Sequence, residues 1–280
     1  FKKLGEKTHY NVEAAFQLAQ FYMNGQATRA DPEKAYGIFK KLSDEKNYIP
    51  AMCELGICCI EGFGTKEDTS KGLAYLKKAA EKRNSKALNL LGVCYLKGKK
   101  KSKESKSEGI PEDPKLAIEY FRKAAELGSM LAKVNLATCY IQGNGVPKQP
   151  EKGYKYLQEA HDDPAAKFRI GVCLFKGAGV PCNKQEGLRL IQEAAEKDSN
   201  AMCYYGKLLL RDDDKDIPQD LTTARKYIEQ SAKLNHPEGM FQYGLILEKE
   251  DPEPENPLSM NKLQSQSFFQ KSSDAGCSKA

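Results

Sequence analysis

The chain has 280 residues, of which 40% are hydrophobic and 29% charged, and its formal net charge is +6. The length fits two ordinary domains or one elongated array, and the low apolar content favours an array with much surface for its volume. Apolar residues recur throughout, which excludes a wholly disordered chain. No stretch approaches the roughly 18 consecutive apolar residues of a membrane-spanning helix, so we predict no membrane insertion.

The positive charge is concentrated in one segment. Residues 97–108 (KGKKKSKESKSE) hold six lysines and two glutamates, so little net charge is left for the rest of the chain. One basic loop differs from the basic stripe that is typical of a nucleic-acid-binding protein. The sequence therefore argues against a nucleic-acid partner.

In chain order, seven segments share the pattern A-x3-[L/I]-[G/A]-x2-[Y/L/C]-x2-G. Four match it closely: AMCELGICCIEG from Ala51, ALNLLGVCYLKG from Ala87, AKVNLATCYIQG from Ala132 and AKFRIGVCLFKG from Ala166. Three match it weakly: AAFQLAQFYMNG from Ala14, AMCYYGKLLLRD from Ala201 and GMFQYGLILEKE from Gly239. Successive starts lie 34 to 45 residues apart, and the longest interval contains the Lys-rich segment. A period of this size predicts a repeat architecture.

A second pattern follows each copy after a break rich in Gly, Pro and Asp. Examples are GLAYLKKAA (72–80), AIEYFRKAA (117–125), GLRLIQEAA (187–195) and ARKYIEQSA (224–232), whose apolar residues recur with the helix period. Asp-Pro pairs such as Asp31-Pro32 and Asp113-Pro114 combine an N-cap with a helix-starting proline. We therefore predict an all-α chain in which each repeat is helix A, a glycine-containing turn and helix B.

These blocks, the Gly-x-Gly-Val turns (143–146 and 177–180) and the K-A-A helix ends resemble Sel1-like repeats, which are relatives of the tetratricopeptide repeat. The resemblance implies a right-handed α/α superhelical solenoid of about seven repeats. We expect one array over residues 1–280, with units starting near 14, 51, 87, 132, 166, 201 and 239. The ending DAGCSKA aligns with the start of an eighth unit near 280, and the start at Phe1 predicts a fragment of a longer protein. Asp212 and Gly239 depart from the pattern.

The nine cysteines show no CxxC or Cys/His pair at metal-ligand spacing. Four of them stand seven residues after the opening alanine, in one column with three hydrophobic residues: Cys58, Cys94, Cys139 and Cys173, with Phe21, Leu208 and Ile246. A column that accepts these residue types is a packing column, so we predict buried, unreactive thiols there. Cys182, in a turn, is the predicted exposed thiol.

We find no catalytic constellation, and predict no enzyme activity, metal or cofactor. His161 and His236 are predicted at the ends of B helices, where imidazole suits the terminal carbonyls. The segment DDDKD (212–216) has the opening spacing of a calcium loop. It lacks the required glycine and glutamate, where Ile217 and Thr223 stand, so we predict a solvated loop.

A candidate partner-binding stripe lies on the A helices, whose inner, concave surface is the binding face that the resemblance implies. Positions three and ten after the opening residue share one helix face, because seven residues make about two turns. They are polar and vary between units, as a solvent-facing surface does; the alternative is a merely hydrated face. The concave stripe consists of Glu54, Glu61, Leu90, Lys97, Asn135, Gln142, Arg169, Lys176, Tyr204, Arg211, Gln242 and Lys249.

Leu90 and Tyr204 are the apolar and aromatic exceptions in this stripe, and so are candidate anchors. We expect Tyr204→Ala to weaken partner binding and to leave thermal unfolding nearly unchanged. The C-terminal half of the stripe is basic, which favours an acidic or extended partner segment. The four residues concerned are Arg169, Lys176, Arg211 and Lys249.

The insertion over residues 99–110 is predicted to be a basic, flexible loop between helices A and B of the third unit. Ser102, Ser105 and Ser107 lie among lysines and resemble phosphorylation substrates. Phosphate there would cancel the positive charge, whereas the alternative is that the loop only increases solubility.

Together these features favour a non-catalytic protein–protein interaction scaffold or adaptor that assembles a larger complex. The expected partners are other proteins, with no small-molecule substrate. One alternative is the weak hydrolase activity attributed to some bacterial Sel1-like repeat proteins. Another is a regulator that binds acidic or nucleic-acid partners through the basic loop. The unpaired cysteines favour the cytoplasm, and the lumen of the endoplasmic reticulum is the alternative.

Overall fold

The structure, a computed structural model, describes residues 11–25, 29–101, 107–212, 216–252, 259–274 and 277. These residues form fourteen α-helices. They are α1 (Val12–Asn24), α2 (Pro32–Lys46), α3 (Ile49–Glu61), α4 (Thr69–Glu81), α5 (Ser85–Lys97), α6 (Pro114–Glu126), α7 (Met130–Gln142), α8 (Pro150–Gln158), α9 (Pro164–Lys176), α10 (Lys184–Ala194), α11 (Ser199–Leu209), α12 (Leu221–Lys233), α13 (Pro237–Lys249) and α14 (Met260–Asp274).

The helices are distributed over two compact units, Phe1–Lys148 with α1 to α7 and Gln149–Ala280 with α8 to α14. In the first unit α1 packs on α2, α3 on α4 and α5 on α6. In the second unit α9 packs on α10, α11 on α12 and α13 on α14. The prediction of an all-α chain built from helix A–helix B repeats is confirmed. The prediction of one array over residues 1–280 stays a prediction.

The B helices begin where the sequence placed their caps. The side chains of Asp31, Asp68, Asp113 and Asp220 each accept a hydrogen bond from the backbone N–H three residues further on. Each bond satisfies one of the amide groups that the first turn of a helix leaves free. The Asp-Pro signal therefore predicts the start of α2 and of α6 correctly, and in α4 and α12 the aspartate caps the helix without a following proline.

Glycine sets the distance between the two helices of a pair. A Cβ atom on Gly187 of α10 would lie 2.6 Å from the amide N of Phe175 and 2.7 Å from the carbonyl O of Gly171, both on α9. In four other pairs a helix A glycine lies against a large B-helix side chain, which its Cβ would approach to within 2.7 Å: Gly56, Gly92, Gly206 and Gly244. The helices approach this closely only because these positions carry no side chain.

A second set of glycines connects three of the turns to the preceding repeat. Gly64, Gly145 and Gly179 have φ between 66° and 78°, in the left-handed region that glycine adopts most readily. A Cβ on any of them would overlap the carbonyl group of the first residue of the preceding B helix, namely Pro32, Pro114 or Pro150 respectively. The Gly-x-Gly turn therefore needs its second glycine for backbone conformation and for contact with a neighbour.

The two ends of the insertion over residues 99–110 contact each other and the preceding repeat, while its flexibility stays a prediction. Lys99 and Ile110 form an antiparallel bridge, with N···O distances of 2.8 and 2.7 Å. The Lys99 ammonium group donates to the carbonyl O of Ile60 and lies 3.0 Å from the Glu61 carboxylate. Ile110 is buried. These contacts fix the base of the insertion against the preceding repeat.

Ser107 in this insertion completes the start of α4. In α4 the first helical residue is Thr69 rather than proline, so its buried backbone has an N–H that needs an acceptor. The Ser107 hydroxyl accepts from the Thr69 N–H at 2.9 Å, and the Thr69 hydroxyl donates to the carbonyl O of Glu108. Ser107 is thus engaged in the fold, whereas the other predicted phosphorylation sites, Ser102 and Ser105, lie outside the described residues.

The burial of these side chains confirms most of the prediction that the cysteine column is a packing column. Cys58, Cys139 and Cys173 are buried, and Cys94 is half-buried. Phe21 departs from the prediction, because its side chain is 43% exposed on α1. Cys182 is exposed as predicted, and all nine cysteines are free thiols.

The acidic segment over residues 212–216 falls partly outside the described residues. Asp216 lies 2.7 Å from the Lys184 ammonium group, and the neighbouring Ile217 is buried. The part of the chain that the structure describes holds no group of acidic, His and Cys side chains arranged to bind a metal. No helix in that part is long and apolar enough to cross a membrane.

We expect Gly187→Ala to lower the free energy of unfolding by about 1–3 kcal/mol, because the new methyl group would meet the backbone of α9 rather than a movable side chain. The control is Gly37→Ala on α2, where a Cβ would meet nothing within 4 Å. That control should raise stability by up to about 1 kcal/mol through helix propensity. Urea denaturation measures both, and a neutral Gly187→Ala would contradict the proposed role of this contact.

We expect Ser107→Ala to lower the free energy of unfolding by about 1–2 kcal/mol, since it leaves the buried Thr69 N–H without its acceptor. In a Thr69→Pro background this N–H does not exist, so the same substitution should cost less than about 0.5 kcal/mol. A double-mutant cycle in urea measures the difference. Equal costs in both backgrounds would show that the hydrogen bond is not what Ser107 contributes.

Candidate protein-binding surface

The concave stripe is accessible on every A helix that carries it. All residues ten positions after the opening residue are exposed: Glu61, Lys97, Gln142, Lys176, Arg211 and Lys249. The residues three positions after it are half-buried, except for the exposed Arg169. In contrast, the column four positions after it is buried at Leu55, Leu91 and Leu136. The periodic argument therefore separates surface from core correctly, while partner binding stays a prediction.

In the first unit, the stripe residues form polar contacts with neighbouring repeats. The Glu54 carboxylate lies 2.7 Å from the Lys86 ammonium group at the start of the next A helix. Asn135 donates a hydrogen bond of 2.9 Å to the buried Asn89 side chain, also one repeat away. These contacts hold the polar groups of successive A helices in a fixed arrangement.

In the second unit, Tyr204 is more embedded than the sequence suggests. Its ring makes an edge-to-face contact with the buried Phe168, with centroids 5.5 Å apart, and packs against a buried cluster that includes Met202 and Leu208. The Lys176 ammonium group lies 5.7 Å from the centre of the Tyr204 ring. From this packing we now expect Tyr204→Ala to lower stability, contrary to the expectation from sequence, because the substitution would remove contacts with the core.

The basic half of the stripe is accompanied by acidic groups that the sequence reading missed. Glu238, at the start of α13, accepts from Lys207 at 2.7 Å and from the stripe residue Gln242 at 3.1 Å. Although Arg169 has an exposed surface, protein atoms around it partly desolvate the guanidinium and lower its pKa, and the charge of Asp198 acts in the opposite direction. Positive charge thus dominates this surface, but it is interrupted by carboxylates.

Lys86 and Glu238 could have been found from sequence. Both stand one position before the opening residue of an A helix. Lys86 has an opposite charge 32 residues earlier, at Glu54, and Glu238 has one 31 residues earlier, at Lys207. An opposite charge at nearly one repeat spacing is the signal that two neighbouring A helices are paired through these side chains.

His236 has a different role from the one predicted. It is the N-cap of helix A α13, and its Nδ1 accepts from the Gly239 N–H at 3.1 Å, while Nε2 lies 3.0 Å from Asn200 Oδ1. Burial lowers its pKa, whereas Asp198 and Glu238 act in the opposite direction. His161 fits the prediction, because its Nδ1 lies 2.9 Å from the carbonyl O of Gln158 at the end of α8.

The thiols of the cysteine column have the properties of packing residues. Burial raises the pKa of Cys58 to about 12, and those of Cys94, Cys139 and Cys173 to about 11. These thiols are therefore protonated near neutral pH and are poor nucleophiles.

The chain is a helical repeat protein, because it consists of paired helices joined by short turns and equivalent positions of successive A helices have similar burial. The Sel1 repeat family model matches residues 12–47, 49–84, 85–129, 131–160, 164–199 and 199–236. The chain therefore belongs to the Sel1 repeat family. The family model matches six repeats, and α13–α14 adds a further helix pair, consistent with about seven. Sel1 repeats generally mediate protein–protein interaction, and the family consists mostly of non-catalytic scaffolds.

Solved structures show the same fold. A Sel1 repeat protein from Oxalobacter formigenes is 23% identical, with a TM-score of 0.62, over 80% of this chain and 88% of that one. A protective antigen of uropathogenic Escherichia coli that displays an SLR fold is 22% identical, with a TM-score of 0.54, over 96% of this chain. This chain spans 55% of the length of the antigen structure.

One curated relative is chitin synthase regulatory factor 3 of Schizosaccharomyces pombe. It is 34% identical over 106 residues, which are 37% of this chain. The match spans only 11% of the length of that protein.

We expect the free energy of unfolding to fall as the pH drops below the ordinary histidine value of 6.5, because the cap needs neutral His236 and folding lowers its pKa. As the pH falls, His236 is protonated in the unfolded chain before it is protonated in the folded chain. The free energy of unfolding therefore falls until the pH reaches the folded-state pKa of His236. His236→Asn keeps a capping acceptor and should reduce this loss. Urea denaturation at about pH 7.5 and about pH 5.5 measures it. His161→Asn is the control, and an unchanged loss in His236→Asn would contradict the assignment.

Proposed function

We propose that this chain is a protein-binding scaffold that assembles a larger complex through the concave stripe. The observation that supports this most directly is the exposed column ten positions into each A helix, which varies in charge, whereas the column four positions in is buried at Leu55, Leu91 and Leu136. A fixed framework with a variable surface lets each repeat supply a different contact. The partner then recognises a sequence of side chains rather than a single pocket.

The second unit supports an acidic, extended partner segment. Lys176, Arg211 and Lys249 are exposed on successive A helices of this unit. The Tyr204 ring attracts the Lys176 ammonium group and restricts its position at the surface. Binding a partner there therefore costs Lys176 less conformational entropy. The Glu238 and Asp198 carboxylates would reject basic segments and set the register of acidic ones, since like charges across an interface are costly.

The name of the fission yeast relative supports a regulatory use of such binding. That protein is called a regulatory factor, and 106 residues of this chain are 34% identical to it. We therefore propose that this chain acts by holding another protein rather than by chemistry of its own. The free, buried thiols support a reducing compartment such as the cytoplasm.

The test is a charge reversal of the second unit's stripe. Lys176→Glu, Arg211→Glu and Lys249→Glu are combined in one variant and used as bait, with retained proteins quantified against the original chain. We expect acidic partners to be lost by about tenfold or more, because several interfacial charge pairs become repulsive. The free energy of unfolding should change little, since the substituted residues are exposed.

The matched control reverses three exposed lysines elsewhere in the same unit, at Lys155, Lys197 and Lys226. It changes the net charge equally and should leave partner retention unchanged. Equal losses in both variants would show nonspecific charge attraction, and no loss in the stripe variant would contradict the proposed surface.

A further inference from the structure

A small cavity of about 240 Å³ lies in the first unit, where the ends of α4 and α6 meet the start of α5. It is lined by Ala80, Arg83, Leu88, Lys123, Glu126 and Leu127, here called the Arg83 notch. None of these residues belongs to the concave stripe. Small-molecule pockets usually measure about 300–1,000 Å³, so this notch is sized for one side chain.

The floor of the notch is apolar and well supported. Leu88 is buried, and Ala80 and Leu127 are half-buried. All three pack in one cluster with Ala124 and Ala132, which are fully buried. The floor is therefore a fixed part of the core that reaches the surface, and an apolar side chain placed on it would be removed from water.

The rim carries a residue in an unusual conformation. Arg83 has φ 58°, in the left-handed region, directly before the N-cap of an A helix. Three corresponding turns have Asn47, Gly128 and Asn235 there, also with positive φ. Asn and Gly adopt this region more readily than Arg does. An unfavourable residue at a turn where its neighbours carry favourable ones suggests a role for its side chain.

The rim is also positively charged. The Arg83 and Lys123 side chains are exposed, and neither forms an ion pair with another described residue. The Lys123 ammonium group lies 5.9 Å from the centre of the Tyr120 ring. The exposed Glu126 carboxylate, three residues after Lys123 on α6, is the negative group among the residues that line the notch. A carboxylate between Arg83 and Lys123 would be held by both cations.

We propose that the Arg83 notch binds an acidic segment of a partner protein through one large apolar residue. The apolar side chain enters the notch, and flanking carboxylates pair with Arg83 and Lys123. This site is separate from the stripe, so it would be a second attachment point for the same or another partner.

The test uses a fluorophore-labelled heptapeptide with a central leucine and two acidic residues on each side, titrated with the full chain at low salt. We expect saturable anisotropy changes that weaken about tenfold or more when the leucine becomes alanine, or when the acidic residues become lysine. Arg83→Asn should weaken binding about tenfold, while the fold is kept because asparagine suits this backbone conformation. Lys82→Gln, beside the notch, is the matched control.

Two results would overturn the proposal. The first is no saturable binding by the original chain at millimolar peptide. The second is binding that depends on peptide charge but not on the leucine or Arg83. A Lys100→Gln, Lys101→Gln variant tests the basic insertion: retained binding supports the notch, and lost binding assigns the peptide to the insertion instead. The stripe charge reversal should leave this binding intact, so the two proposals can fail separately.

Discussion

The repeat depends on a contact in which helix B approaches helix A at a residue that has no side chain. At Gly171 and Gly187 the two backbones touch almost directly, and any methyl group there would have to displace a helix. This contact fixes how each helix A is rotated relative to its partner. Since the rotation is fixed, the columns that face the core and those that face water are fixed with it.

The surface that results is a network rather than a row of independent side chains. Glu54 and Lys86, and Lys207 and Glu238, pair across neighbouring A helices, and Tyr204 supports Lys176. A partner that binds there exchanges existing contacts for new ones. Such a surface favours discrimination between partners over high affinity, because charge pairs that are replaced by charge pairs yield little net free energy.

The sequence predicts the repeat because its determinants are local and periodic. Helix A, helix B, the caps and the cysteine column follow from residue types within one repeat. The missed features depend on contacts between repeats. Ser107 supports Thr69 from 38 residues away, and His236 lies beside Asn200 from 36 residues away. Thr69 stands where three other B helices, α2, α6 and α8, begin with proline, and its N–H needs an acceptor that those helices do not need.

The turn glycines have a consequence for how the chain opens. Where Gly64 and Gly179 rest on the preceding B helix, loosening one hairpin strains its neighbour, so those hairpins unfold cooperatively. The segments that link α11 to α12 and α13 to α14 contain no glycine. Those segments are held to the preceding B helix by ion pairs instead, Asp216 with Lys184 at 2.7 Å and Glu250 with Arg225 at 2.5 Å. A surface ion pair contributes less than a close backbone contact, so we expect the C-terminal hairpins to open before the hairpins coupled by glycine.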